Sequence, residues 1–173
     1  MRKLAAALAA VSVLALAAVP AAFADSPHFL SHSFSIDKSN GNLLCSFKEA
    51  GLGNTTQTAD ITCTAQTSEA VYQCWNKGGN HPQAGNKETV GGLVTNTESF
   101  PVRNGQTTGT VTVGPVSPRG FSCPNGQALY LQSVCYDDIS ISGAGASTPA
   151  EYTGGNELCY DFAPNGGPGL RVG

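Results

Sequence analysis

Apolar and polar residues alternate along most of this chain, in short runs separated by turn residues. His32, Phe34 and Ile36 share one face of a first strand, which stops at the turn "KSNGN" (38–42). Leu43, Cys45 and Phe47 share a face of the second, "GLGN" (51–54) turns the chain, and Ile61, Cys63 and Ala65 mark the third. "SEAVYQCW" (68–75) alternates as a fourth strand; two more, at 93–102 and 107–113, flank the turn "RNGQ" (103–106). "ALYLQSVCYDDISIS" (128–142) is the longest extended run, and "ELCYDF" (157–162) closes the series. After residue 24 no window shows the 3.6-residue apolar period of a helix. About eight strands with turn signals between them predict an all-β fold. The expected form is an antiparallel β-sandwich, immunoglobulin-like and stapled by disulfides.

The two ends depart from this alternation. Arg2 and Lys3 precede an Ala/Leu-rich run from Leu4 to Val19, Pro20 breaks it, and Ala22-Phe23-Ala24 offers a cleavage site. Residues 1–24 therefore read as a signal peptide, and the chain is expected to be secreted into an extracellular setting. One sandwich domain is expected over 25–162. The stretch 163–173, "APNGGPGLRVG", carries so little apolar content that it reads as a flexible tail.

All six cysteines follow the signal, and an even count in an exported chain predicts disulfides. No C-x-x-C pair supports a zinc site instead. Opposed residues of an antiparallel hairpin have indices summing to twice the turn centre. Cys45 and Cys63 centre on Asn54, within "GLGNTT", which predicts that they face each other across a hairpin. Cys135 and Cys159 centre on position 147, inside a Gly-rich connection, and pair by the same rule. Cys74 and Cys123 remain, each at a junction of strand and loop.

Charge narrows the partners. Without the signal, 7 basic and 12 acidic side chains leave a net charge of −5, and no basic run is present. Nucleic acid and anionic membranes need clustered Lys/Arg, so neither is an expected partner, nor is membrane insertion. A neutral, Thr/Ser/Asn/Gly-rich surface suits an extracellular carbohydrate or protein, met by a monomer.

The longest stretch with almost nothing to bury is "CWNKGGNHPQAGNKETVGG" (74–92). It sets Trp75, the single tryptophan, beside the amides of Asn76, Asn80, Gln83 and Asn86, together with His81 and Lys87. An indole covers the C–H face of a sugar while amides donate to and accept from hydroxyls, so these seven residues are the candidate ligand-binding set. The competing reading packs Trp75 in the core and leaves Asn and Gly to serve turns.

No catalytic constellation emerges, so no catalytic residue, metal or cofactor is expected. Asp137 and Asp138 adjoin in one strand, which would point them to opposite faces. With Glu151 they could approach a calcium ion, but no Asp-x-Asp-x-Asp-Gly loop supports one. His28 and His32 stand roughly 13 Å apart in an extended strand, too far to share a metal. No serine sits in G-x-S-x-G.

"FKEAGLGN" (47–54), "CWNKGGNHPQAGNKETV" (74–90) and "FSCPNGQ" (121–127) together resemble small secreted proteins of actinobacteria. The resemblance covers most of the chain after the signal. It implies a one-domain exported β-protein and adds weight to pairing Cys74 with Cys123; it carries over no catalytic residue, ligand or activity. The resulting expectation is a secreted β-sandwich that binds through its 75–92 loop. The alternatives are a structural protein of the cell surface or matrix and, behind it, a secreted hydrolase using two unmarked carboxylates.

Overall fold

A computed structural model describes residues 26–76, 86–146, 148–155 and 157–173. The expected signal peptide lies outside them. Among the described residues nine strands run in chain order: β1 (His28–Ile36), β2 (Leu43–Ala50), β3 (Thr58–Asn76), β4 (Lys87–Pro101), β5 (Gln106–Val113), β6 (Gln127–Ser142), β7 (Ala150–Glu151), β8 (Glu157–Asp161) and β9 (Leu170–Arg171). They form two antiparallel sheets. One is ordered β1-β2-β5; the other runs β4-β3-β6, with β7, β8 and β9 each paired to the far edge of β6.

The alternation that predicted strands also builds the core. Leu43, Cys45, Phe47, Val111 and Val113 of the first sheet meet Ile61, Cys63, Tyr136, Ile139 and Ile141 of the second, all buried. The Tyr136 hydroxyl crosses this core to donate to Gly41 O at 2.7 Å, and burial pushes its pKa well up. The β1–β2 turn is held by Asp37, whose carboxylate accepts from the Ser39 hydroxyl and N–H and from Asn40 Nδ2. Those bonds, the Ser39 hydroxyl foremost, hold its carboxyl below the ordinary range.

Two expected strands are one. β3 runs for 19 residues, and an irregularity between Ala65 and Ser68 switches which parity faces inward. Ala59, Ile61, Cys63 and Ala65 are buried before it; Ser68, Ala70, Tyr72 and Cys74 are buried after it. A period-2 reading sees such a phase change as a strand boundary.

Beyond that switch, β3 and β6 outrun the three-stranded sheet, and loops cover them instead. Ala70, Tyr72, Val90 and Leu131 pack under Val116, with Phe121, Phe162 and Leu170 at the margin. The Tyr72 hydroxyl donates to Val116 O at 2.8 Å, fixing the 114–126 connection on this surface. The carboxy-terminal stretch, expected to be too polar to order, pairs here: Leu131 faces Leu170, and Val172 N–H donates to Leu129 O at 2.9 Å. Gly169 allows that approach, since a Cβ there would meet Leu131 O at 2.2 Å. One leucine on an uncovered part of the sheet supplies what the tail's composition lacks.

All three expected cysteine pairs are bonded. Cys135 and Cys159 oppose each other in the register of β6 and β8, as the index sum requires. Cys45 and Cys63 are joined, yet not across a hairpin. β2 and β3 belong to different sheets, and the bridge spans the core with Cα atoms 6.2 Å apart. The 51–57 connection carries the chain between sheets, anchored by buried Leu52. Residues equidistant from such a crossing lie at equal depth on facing sheets, so the arithmetic finds the partner without the pairing.

The adjoining edges of the sheets, β4 and β5, are joined by side chains. Glu98 Oε1 accepts from Thr112 N–H at 3.0 Å, while Asn96 Nδ2 donates to Thr112 O at 2.9 Å. Two side chains thus occupy the N–H and C=O of Thr112, edge groups of β5 that another strand could otherwise recruit.

Candidate functional site

The root of the 77–85 connection is built by the ends of three strands. Cys74, Trp75 and Asn76 close β3 and pair with Leu129, Ala128 and Gln127 at the start of β6; Lys87 opens β4 opposite Gln73. Cys74 is buried and bonded to Cys123, so the 114–126 connection is stapled to the same corner. The Pro124–Gln127 turn, closed by Gln127 N–H donating to Pro124 O at 3.1 Å, then delivers Gln127 into β6.

Three side-chain amides gather there. Asn86 Nδ2 donates to Gln127 Oε1 at 3.1 Å, and Asn76 lies opposite Gln127 in the strand register. Asn76 and Lys87 are exposed, while Asn86 and Gln127 are half-buried. Gln127 is not in the candidate set that the sequence pattern offers; its signal there is its place just after "CPNG", and only the register sets it opposite Asn76. Asn80, His81 and Gln83 lie outside the described residues.

Trp75 has the parity opposite to Cys74, yet it is only 4 % exposed. This corner of the sheet is therefore covered on both faces, and the indole is enclosed rather than displayed as an open plate. Its placement makes it a reporter of the amide cluster beside it in sequence. Asn76, Asn86, Lys87 and Gln127 are the groups with polar surface left to offer.

A second polar region lies midway along β6. Asp138 has φ 48°, a left-handed conformation that takes it out of the strand pleat. The expectation that Asp137 and Asp138 point to opposite faces fails for this reason. Both line a depression of about 520 Å³ with Gln66, Glu151 and Tyr152. The irregularity in β6 stands opposite the one in β3, so Ala65 pairs Ile139 before it and Ser68 pairs Tyr136 after it with no net slip.

One buried group is chemically conspicuous. Glu49 continues the inward parity of Cys45 and Phe47, is fully buried, and neither carboxyl oxygen meets a donor at hydrogen-bonding geometry among the described residues. Gly143 closes over it, since a Cβ there would lie 2.3 Å from Glu49 Oε1. Burial pushes the Glu49 carboxyl up, opposed in part by the Ala144 N–H and by His28.

Comparison with known proteins finds no matching family, no matching curated protein and no matching solved structure.

Proposed function

We propose that this chain is an exported, immunoglobulin-like binding module that takes a neutral polar ligand, a carbohydrate before others, at the root of the 77–85 connection. The observation that carries the reading is the Asn86–Gln127 bond beside the Cys74–Cys123 bridge. An amide pair so joined keeps an N–H and carbonyl lone pairs for a ligand's hydroxyls. Because the strands and the bridge already fix it, little ordering is left to offset binding. Asn76 and Lys87 widen the same surface, and Trp75 lies enclosed beside it at the end of β3.

Export is supported by the signal-like residues 1–24 together with three disulfides, which suit an oxidising compartment. The immunoglobulin-like assignment is supported by the strand order. A β1–β2 hairpin and a β3–β4 hairpin lie in opposite sheets, β5 returns beside β2, and β6 beside β3. That interlocking return is the Greek-key habit of such sandwiches.

A glycan array followed by titration of Trp75 fluorescence tests the reading. Saturable binding of a neutral saccharide is expected. Asn76→Ala and Gln127→Ala should each weaken it by roughly tenfold, the loss of about one hydrogen bond. Absence of binding across the array would remove the carbohydrate assignment. A structural role at the cell surface is the second reading, favoured by the joined β4 and β5 edges and the three staples. Recovery of the protein wholly as soluble monomer from culture medium would count against it.

A further inference from the structure

The three bridges differ in access. Cys45, Cys63 and Cys74 are fully buried and Cys123 is half-buried, whereas Cys159 is exposed and its partner Cys135 half-buried. A thiolate or phosphine must reach a sulfur in line to open a disulfide, so the β6–β8 bridge, which alone has an exposed cysteine, is the most open to attack.

Its surroundings are acidic. Val134 and Tyr136 face the core, so Cys135 and Asp137 face outward from β6. In the register Glu69 lies opposite Cys135 on one side and Cys159 on the other; the next row pairs Asp137 with Glu157, and the row before it pairs Ser133 with Asp161. These rows contain four carboxylates and no lysine or arginine. Glu157 Oε2 lies 3.2 Å from Cys159 Sγ, and the ligand atoms of Cys135, Glu157 and Cys159 all lie within 4.8 Å of one another.

We propose that opening the Cys135–Cys159 bridge creates a binding site for a thiophilic divalent cation, Zn²⁺ or Cd²⁺, with both sulfurs and the Glu157 carboxylate as ligands. The chemistry balances with a small-molecule dithiol as reductant. Two electrons and two protons pass to the cysteines, the S–S bond breaks, and the dithiol leaves as its own disulfide. The metal then displaces both thiol protons to solvent and takes two thiolates. Two sulfurs at about 2.3 Å from one zinc sit closer together than the Cβ atoms of directly opposed strand residues, so the sheet need not part. Without metal, the neighbouring carboxylates disfavour two thiolates; with it, the same charges attract the cation. Oxidation closes the site and reduction opens it.

The test uses the whole folded protein under limiting reductant, with alkylation and peptide mapping to show which bridge has opened. Reduced protein should bind one equivalent of Cd²⁺, read by thiolate charge-transfer absorption, and compete for Zn²⁺ against a chromogenic chelator. Oxidised protein should bind at least about 100-fold more weakly. Glu157→Gln, which leaves the bridge and fold untouched, should weaken the reduced site by about tenfold or more. Cys135→Ser with Cys159→Ser should abolish it. The proposal is overturned if another bridge opens first, if reduced protein binds no metal, or if binding survives the loss of both cysteines.

Discussion

At the scale of single residues, Glu49 is the position where sequence pattern and chemistry disagree. Its parity in β2 sends it inward, and the turn at Gly143 seals it, with the charge of His28 acting on it and Thr107 opposite in the register. A carboxyl whose pKa is raised on folding binds its proton more tightly in the folded state. Its contribution to stability is fully present below the unfolded carboxylate value and is lost as pH rises through the raised value. Unfolding followed by denaturant should therefore show this contribution at low pH and its loss as pH rises through the raised value. Glu49→Gln should flatten that slope and raise stability at pH 7 by about 1–3 kcal/mol, the order of an unmatched buried polar group. A Glu49→Gln protein with the slope of the parent would show that the carboxyl is solvated or paired.

At the scale of elements, the paired irregularities of β3 and β6 decide how the chain reads. Position 138 is held at φ 48°, which glycine adopts freely and a β-branched residue resists. Asp138→Gly should leave stability unchanged or raise it by up to about 1 kcal/mol, while Asp138→Val should lower it by about 1–2 kcal/mol; paired urea melts would read both. Strand existence was legible because inward positions such as Ile61, Cys63 and Ala65 keep strict alternation. The fusion of two expected strands into β3 was not, since a phase switch at Gln66–Thr67 looks like an end. The tail's order was illegible for another reason. Leu170 gains its partner, Leu131, from a part of β6 left uncovered by the other sheet, which is information about topology rather than about residues 163–173. In the candidate site, the amide character of Asn76 and Asn86 was visible in sequence. The convergence of Gln127 on them depends on a register 51 positions away from Asn76 and was not.

At the scale of the whole molecule, the three disulfides do different work. Cys45–Cys63 ties sheet to sheet, Cys135–Cys159 ties strand to neighbouring strand, and Cys74–Cys123 ties the end of β3 to the 114–126 connection, closing the largest sequence separation, 49 residues. Replacing Cys74 and Cys123 by alanine should cost about 2–4 kcal/mol, seen as a lower denaturation midpoint. If the corner is a binding site, the same change should also weaken ligand at temperatures well below melting, because the untethered connections must be ordered on binding.

The measurement that bears most directly on the binding assignment is that affinity itself. A neutral saccharide selected on the array is titrated into folded parent and Cys74→Ala/Cys123→Ala protein, with Trp75 emission as the readout. The account predicts saturable binding by the parent and a loss of about tenfold or more in the variant. Equal affinity in the two proteins, or no saturable change in the parent, would contradict it.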